Sequence, residues 1–261
     1  MGLIAGTVVL ALSGLLCGSF LNVCILRIPA GESVVTVPSH CPGCDRRLRP
    51  PELIPVLSWI SLRSRCRGCG ARISAQYPLV EAANAALWVL AAVFRGFTAF
   101  LPLECAVLSA LLGLSVIDAR TREIPPVFNV FIGVCGILRI AVALISPETG
   151  VRGVGDAAPY IVGAVAVSVP LGIVYLASGG RAIGGGDLKL LAACGLFLGW
   201  RLVVLGFFAG CVLGAAIHLA RMRISGAERA LALGPYLSAG MALAMLLGER
   251  AISWYLGLIG R

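Results

Sequence analysis

Two aspartates of this sequence lie where apolar stretches end or begin, and their positions suggest acid–base chemistry at a membrane boundary. Asp118 ends one apolar run, and Asp187 opens another directly after Gly184, Gly185 and Gly186. Two neighbouring carboxylates share one proton, so one can activate a water molecule while the other protonates the carbonyl oxygen or the leaving nitrogen of a peptide. The two acids therefore predict an aspartic peptidase, provided that the fold brings them together.

Each part of this candidate site also has a simpler interpretation. Asp118 could be a helix-end acid that pairs with Arg120 or Arg122, since ion pairs of this kind are common. The three glycines could form a plain flexible loop, although glycine weakens a helix and often marks a backbone that another group approaches closely. A phosphate-binding loop is excluded because the spacing G-x-x-x-x-G-K-[ST] and a preceding strand are both missing.

Two C-x-x-C pairs form a second candidate site: Cys41 with Cys44 and Cys66 with Cys69, separated by 21 residues. Four thiolates at this spacing, with a glycine in each turn, are typical of a structural zinc. A closed four-cysteine shell leaves no position for an activated water, so this zinc is not expected to be the catalyst. Two disulfides or a redox pair are the alternative, which a reducing cytoplasmic location disfavours. His40 is more simply a solvent-facing histidine than a ligand.

The composition identifies the medium in which these sites lie. The chain has 261 residues, of which 59% are hydrophobic and 13% are charged, and its mean hydropathy is +0.98. These values are typical of a polytopic membrane protein and exclude a soluble domain or a disordered chain. The first apolar run is too long for a signal-peptide core and lacks a basic start, so we expect a retained membrane helix.

The apolar runs predict an all-α polytopic membrane protein, with about eight transmembrane helices and a small zinc-ribbon-like cytoplasmic loop domain. The predicted spans are 2–26, 79–94, 97–117, 127–146, 158–178, 188–200, 202–220 and 231–248, with a short tail at 251–260. The run 188–200 is the shortest and either extends into the glycine-rich loop or is a partial helix inside the bundle. The predicted domains are a first transmembrane helix at 1–26, a four-cysteine zinc-binding domain at 27–78 and a membrane peptidase domain at 79–261.

The basic residues predict which ends of the helices face the cytoplasm. With the amino terminus outside, the inner segments are 27–78, 118–126, 179–187 and 221–230. Together with Lys189 they hold fifteen of the 21 Lys and Arg residues, while five lie at the outer ends and Arg139 lies within a span. This excess follows the positive-inside rule and assigns Asp118 and Asp187 to the same cytoplasmic face. Orientation and anionic lipid account for the net charge of +9, so nucleic acid is not an expected partner.

The order of the motifs resembles that of the type IV prepilin peptidases, also called prepilin leader peptidase/N-methyltransferases, within the G-x-G-D aspartic membrane proteases. The matching segments are Gly18–Val23 with Arg27 and Pro29, the two cysteine pairs, Ile54–Trp59, Arg63–Cys66, Ile73–Glu81, Asp118 with Ile124 and Pro125, Gly184–Lys189, and Gly234–Leu237. Each motif is weak alone, but together and in order they cover nearly the whole chain. At Pro126 the sequence departs from the Asp or Asn that is common in the family.

The resemblance implies a bacterial inner-membrane enzyme that cleaves the basic leader from type IV prepilins or pseudopilins on the cytoplasmic side. It implies Asp118 and Asp187 as the catalytic residues and Gly184, Gly186 and Lys189 as substrate-binding or supporting residues. Lys189 would bias the charge of the acids or bind the substrate backbone, unless it is an ordinary inside-facing lysine. Family members often also methylate the new amino terminus with S-adenosylmethionine, and a peptidase without this activity is the alternative.

Two other classes of protein remain as alternatives to an enzyme. A proton- or cation-coupled transporter can use glycine-broken helices and intramembrane acids, but transporters usually show inverted repeats and midplane acids, and this sequence shows neither. A zinc-ribbon membrane adaptor would use the cysteines and leave the two acids without a role. Cleavage that depends on Asp118 and Asp187 separates the peptidase from both, since neither alternative predicts it.

Overall fold

The computed structural model describes residues 2–145, 157–225 and 232–259. Within these ranges the chain is mainly helical and has no strand, which confirms the predicted all-α class. Two isolated antiparallel bridges occur in the cysteine-bearing segment. Three of the arginines counted for the charge distribution lie outside the described residues: Arg152, Arg229 and Arg261. The predicted end of one span at residue 146 and the predicted start of another at residue 231 also lie outside them.

The first compact unit, Met1–Val93, holds two long helices and the cysteine-bearing segment between them. Its helices are α1 (Gly2–Ala30), a short 3-10 helix (Pro50–Leu53), α2 (Leu57–Ser61) and α3 (Gln76–Arg95), whose last two residues fall in the second unit. Helix α1 continues past its predicted end at residue 26. The buried Arg27 of its last turns is accommodated because its guanidinium donates to the carbonyls of Val37, over 2.7 Å, and Pro38, over 3.2 Å.

Buried polar side chains join α1 to α3 within this unit. The Asn22 amide donates to the carbonyl of Tyr77 over 3.1 Å, and the Asn84 amide donates to that of Gly14 over 2.8 Å. Glu81 accepts the backbone N–H of Val56 over 2.7 Å. Buried polar groups are retained where they are hydrogen-bonded. The family-motif residues Asn22 and Glu81 therefore have structural partners, and these partners fix the path of the chain between the two helices.

The second compact unit, Phe94–Arg261, contains the two aspartates. Its helices are α4 (Leu101–Thr121), α5 (Pro126–Ile145), α6 (Ala158–Ala166), α7 (Ser168–Ala177), α8 (Gly185–Leu198), α9 (Trp200–Ser225) and α10 (Gly234–Ile259). Helix α10 continues to Ile259, so the predicted short tail at 251–260 belongs to this helix as far as residue 259. The apolar residues of that stretch extend the helix instead of ending it.

Six helical segments of the described chain are long and apolar enough to cross a membrane. They are α1, α3, α4, α5, α6 together with α7, and α9. The remaining two predicted spans correspond to α8 and α10. Helix α8 has 14 residues, or about 21 Å at the α-helical rise, which is short of the roughly 30 Å of a bilayer core. Six of the eight predicted transmembrane helices thus have a matching candidate span, and the total of eight remains a prediction.

Helix α8 is packed tightly in the second unit, and this packing fixes the position of Asp187. Leu190, Leu191 and Phe197 are fully buried. A side chain at Gly195 would collide with the backbone of Gly163 in α6, so glycine at both positions lets the two helices touch. Small residues allow this close approach in membrane helices. Both features offered for 188–200 are present: the helix extends into the glycine-rich stretch as far as Gly185, and its 14 residues are packed inside the second unit.

Candidate active site and metal centre

Asp118 lies in the last turn of α4 and is held there by two backbone groups. The helix ends at Arg122, whose left-handed conformation turns its N–H back to the Asp118 carbonyl over 2.8 Å. The Asp118 side chain is buried, and its Oδ2 accepts the N–H of Gly234 over 3.0 Å. A Cβ atom at Gly234 would lie 2.6 Å from that oxygen, so glycine is the residue that fits there without displacing the carboxylate. The Gly234–Leu237 motif therefore supplies the donor to Asp118.

Asp187 lies in the first turn of α8, and the three glycines before it have distinct surroundings. None of the three has a positive φ, so they are not required by turn geometry. A Cβ at Gly184 would lie 2.9 Å from Oδ2 of Asp187, and one at Gly186 would lie 3.1 Å from Cβ of Ile124. Gly185 and Gly186 belong to the helix rather than to a loop. The glycines thus give room to the carboxylate and to the neighbouring chain.

The two aspartates line one cavity of about 310 Å³. Its lining residues are Asp118, Arg122, Glu123, Ile124, Gly184, Gly185, Gly186 and Asp187. Asp187 lies outside the six candidate membrane spans. Burial, and secondly the negative charge of Asp118, raise the pKa of Asp187 to about 6. A carboxyl that keeps its proton beside an ionised one is the arrangement that acid–base hydrolysis requires.

The other residues of this site were only partly foreseen from the sequence. Lys189 is exposed on α8 and does not line the cavity. Arg122 and Glu123 do line it, but a charged loop of this kind gave no signal that would separate them from other surface residues. Asn129 of α5 donates its amide to the carbonyl of Gly186 over 3.4 Å, and this long contact supports the backbone directly before Asp187.

The four predicted cysteines come together in the first unit. The Sγ atoms of Cys41, Cys44, Cys66 and Cys69 all lie within 4.8 Å of one another, and the Cys41 and Cys69 sulfurs are 3.8 Å apart. All four are free cysteines, so the two disulfides of the alternative interpretation are not formed, while a redox pair stays an alternative. Four sulfurs about 2.3 Å from one zinc would lie roughly 3.8 Å from each other, and this cluster fits such a shell. His40 is not a member of the group.

The backbone around the cluster favours anionic sulfur. The N–H groups of Gly43 and Gly68 point at the sulfurs of Cys41 and Cys66, over 3.4 and 3.3 Å. Hydrogen bonds from the backbone of Cys69 and Gly68 lower the pKa of the Cys66 thiol to about 6. The backbone N–H of Arg46 lowers the pKa of the Cys44 thiol, but desolvation and hydrogen bonds with the other three cysteines raise it overall, so the four sulfurs share a reduced negative charge when no metal is bound. Thiolate is the form that binds a metal, and its affinity for protons decides how readily it does so. The cluster therefore has the chemistry of a metal site as well as its geometry.

Comparison with known proteins identifies the family to which the chain belongs. Residues 12–94 match the model of the bacterial peptidase A24 N-terminal domain, and residues 105–219 match that of the type IV leader peptidase family. A prepilin leader peptidase/N-methyltransferase of Bacillus subtilis (strain 168) is 32% identical, over 95% of this chain and 97% of the relative. The protein of that name from Dickeya chrysanthemi is 34% identical, over 91% of each chain, and the one from Pseudomonas aeruginosa is 32% identical, over 95% of this chain and 93% of the relative. No solved structure matches the chain significantly. The chain belongs to the type IV leader peptidase family.

Proposed function

We propose that this protein is a membrane aspartic endopeptidase that removes the leader peptide from type IV prepilins or pseudopilins, with Asp118 and Asp187 as its catalytic pair. The observation that carries the proposal is the shared cavity: two carboxylates from separate helices line one space in a member of a leader peptidase family. An adaptor would leave this pair without a role, and the match to a leader peptidase family favours a peptidase over a transporter.

The chemistry follows from the surroundings of the two acids. Asp118, ionised and bound to the N–H of Gly234, takes a proton from a water molecule as the water oxygen attacks the scissile carbonyl carbon. Asp187 donates its proton to the carbonyl oxygen, which forms a neutral tetrahedral intermediate. When the C–N bond breaks, the proton held by Asp118 passes to the leaving nitrogen, and the intermediate's hydroxyl proton returns to Asp187. The products are a carboxyl group and a free amine.

The cavity is proposed to open towards the cytoplasm of a bacterial inner membrane. The excess of basic residues in the predicted inner segments supports this orientation. A substrate whose apolar helix lies in the bilayer would then present its cleavage site at the boundary where the acids lie. The basic segment 27–78 would contact anionic lipid on the same side.

The metal of the four-cysteine cluster is proposed to be a structural zinc. All four sulfurs of a closed shell are occupied as ligands, so the metal supplies folding energy and no water for hydrolysis. Only 52 residues make up the predicted segment 27–78, and a segment this short has little core of its own. The zinc would therefore hold the two C-x-x-C turns together.

The names of the relatives extend the proposal to a second activity, N-methylation of the new amino terminus with S-adenosylmethionine. Among the described residues, no cluster identifies a place for this cofactor, and we assign no step to it. Mass measurement of the cleaved product separates a bifunctional enzyme from a peptidase alone, because each methyl group adds a fixed mass.

The test is cleavage of a prepilin by the purified full-length enzyme in detergent, with the product identified by mass. Asp118→Asn and Asp187→Asn keep nearly the same shape and remove the proton chemistry, so each should lower kcat by at least about 10³-fold. Glu249→Gln, an exposed acid of α10, is the matched control and should cleave as the wild type does. Folded wild-type enzyme that leaves prepilin uncut would overturn the proposal.

A further inference from the structure

A buried charged cluster lies far from the two aspartates, at the other ends of the same helices. Glu104, in the first turn of α4, is 1% exposed. Its Oε1 accepts hydrogen bonds from Nε of Arg95 and from Nη1 of Arg139, each over 3.2 Å. Burying charged groups costs desolvation free energy, which pairing and hydrogen bonding offset only in part, so the cluster is not explained by stability alone. The peptidase mechanism makes no direct use of it.

Arg139 connects three helices through this cluster. It belongs to α5, it pairs with Glu104 of α4, and its guanidinium lies 4.9 Å from the ring centre of Phe197 in α8. The ring of Phe100, at the start of α4, lies 4.8 Å away. A planar guanidinium stacked on aromatic rings and paired with a carboxylate is held in a defined orientation. Arg139 thus links the helix that carries Asp118 to the helix that carries Asp187.

Helix α5 contacts α8 at two levels, and the distance between the two levels is similar along both helices. Near the cavity, the Asn129 amide reaches the carbonyl of Gly186, and at the far end Arg139 reaches Phe197. Ten residues of α5 and eleven of α8 separate these contacts, which is about 15 and 17 Å at the α-helical rise. Between them, a Cβ at Gly136 would lie 3.1 Å from the backbone nitrogen of Phe197, so the two backbones touch. The helices therefore lie side by side in one register.

We propose that Arg139 is a positioning residue: by tying Glu104 to Phe197, it sets the axial position of α8 against α4 and so the spacing of Asp118 and Asp187. The proposal rests on the function proposed above. Glu104 lies 14 residues before Asp118, and Phe197 lies ten residues after Asp187. Since helices move nearly as rigid rods, a slide at the cluster is transmitted to the cavity. A shift of about 1 Å can reduce a rate by about 10²-fold.

The test compares Arg139→Met and Arg139→Lys with the wild type, as purified full-length enzymes acting on one prepilin over a range of pH. Arg139→Met should lower kcat by at least about tenfold. KM should stay within about twofold, because the residues that line the cavity are unchanged. Its pH profile should shift, since the separation of two carboxylates sets how strongly one charge affects the other. Arg139→Lys keeps the charge but not the stacked plane, so it should restore only part of kcat.

Leu202→Ala distinguishes the positioning role of Arg139 from a purely stabilising one. It removes a buried side chain from the packing of α9 against Gly248 of α10. This control should lower the melting temperature and leave the kcat and pH profile of the folded enzyme unchanged. Phe197→Leu removes the ring but keeps an apolar side chain, so it should reproduce the pH shift in weaker form. If Arg139→Met does not fold, Glu104→Gln combined with Arg139→Met removes both fully paired charges, leaves only the partly exposed Arg95 without its carboxylate, and serves for the same measurement.

The outcomes are distinct for the two proposals. Wild-type enzyme that fails to cleave counts against the proposed function. Wild-type enzyme that cleaves, together with an Arg139→Met variant that keeps the wild-type kcat and pH profile, overturns the positioning role alone. The positioning role is also overturned if Leu202→Ala lowers kcat as much as Arg139→Met does and neither variant shifts the pH profile.

Discussion

The backbone N–H of Gly234 donates to Oδ2 of Asp118 over 3.0 Å, and this bond joins the start of α10 to the end of α4. A donor on a carboxylate oxygen stabilises its negative charge. Asp118 is buried and Asp187 is half-buried, and each accepts a backbone N–H, that of Gly184 for Asp187, but Asp187 in addition faces the negative charge of Asp118. The two acids are the same residue type, and we propose that their different surroundings make Asp118 the base and Asp187 the holder of the shared proton.

The first prediction concerns Gly234→Ala. The added Cβ would lie 2.6 Å from Oδ2 of Asp118, so the carboxylate must rotate or α10 must move. Either change misplaces the base, and we expect kcat to fall by about 10²-fold. Gly133→Ala in α5 is the control, because nothing lies within 4 Å of its added Cβ. That control should keep its activity, and a Gly234→Ala variant as active as the wild type would contradict the assignment of this hydrogen bond.

The second prediction separates the three glycines before Asp187. In Gly184→Ala the nearest atom to the new Cβ is Oδ2 of Asp187, at 2.9 Å, so we expect lost activity with little lost stability. In Gly186→Ala the nearest atom to the new Cβ is Cβ of Ile124, at 3.1 Å. A Cβ atom cannot rotate away, so both the activity and the melting temperature should fall. The Cβ of Gly185→Ala meets only the Tyr175 side chain, at 3.8 Å or more, so this variant should lose least. Peptidase assays and thermal unfolding of the three variants give the order, and an equal loss in all three would contradict it.

The third prediction is a pH dependence of activity. The mechanism needs the proton on Asp187, whose pKa is raised to about 6. Above that pH the pair becomes doubly ionised, and kcat should fall by about tenfold for each further pH unit. The measurement is kcat for one prepilin across the range in which the protein stays folded. A rate that stays flat well above pH 6 would show that Asp187 does not supply the proton.

The fourth prediction concerns the effect of the raised pKa of Asp187 on the stability of the protein. A carboxyl whose pKa is raised in the folded protein stabilises the fold while it is protonated. This contribution is fully present below its ordinary pKa of 3.8 and is lost as the pH rises through about 6. Asp187→Asn cannot ionise, so it should melt at a higher temperature than the wild type at about pH 8. The difference should shrink as the pH falls towards about 4. A constant difference would contradict the linkage.

Sequence reasoning identified the residues that carry a chemical signature. Asp118, Asp187 and the four cysteines stand out by type and spacing, and the structure places each set together. What it missed depends on distances between separate helices. Nothing in the local pattern shows that the N–H of Gly234 would reach Asp118, or that Arg139 would stack on Phe197. The shared cavity itself is a property of packing, since the two acids are 69 residues apart in the chain.

The last prediction tests the four-cysteine site by its metal. The purified protein should contain about one zinc per chain, and Cys66→Ser should remove most of it because the shell is then incomplete. The segment around Arg63, Arg65 and Arg67 should then become open to trypsin. Cys17→Ser, which changes an exposed cysteine outside the cluster, should keep the metal. Exchange of zinc for cobalt should leave kcat within about twofold, since a closed shell has no open position for water. A large change on exchange would give the metal a part in catalysis.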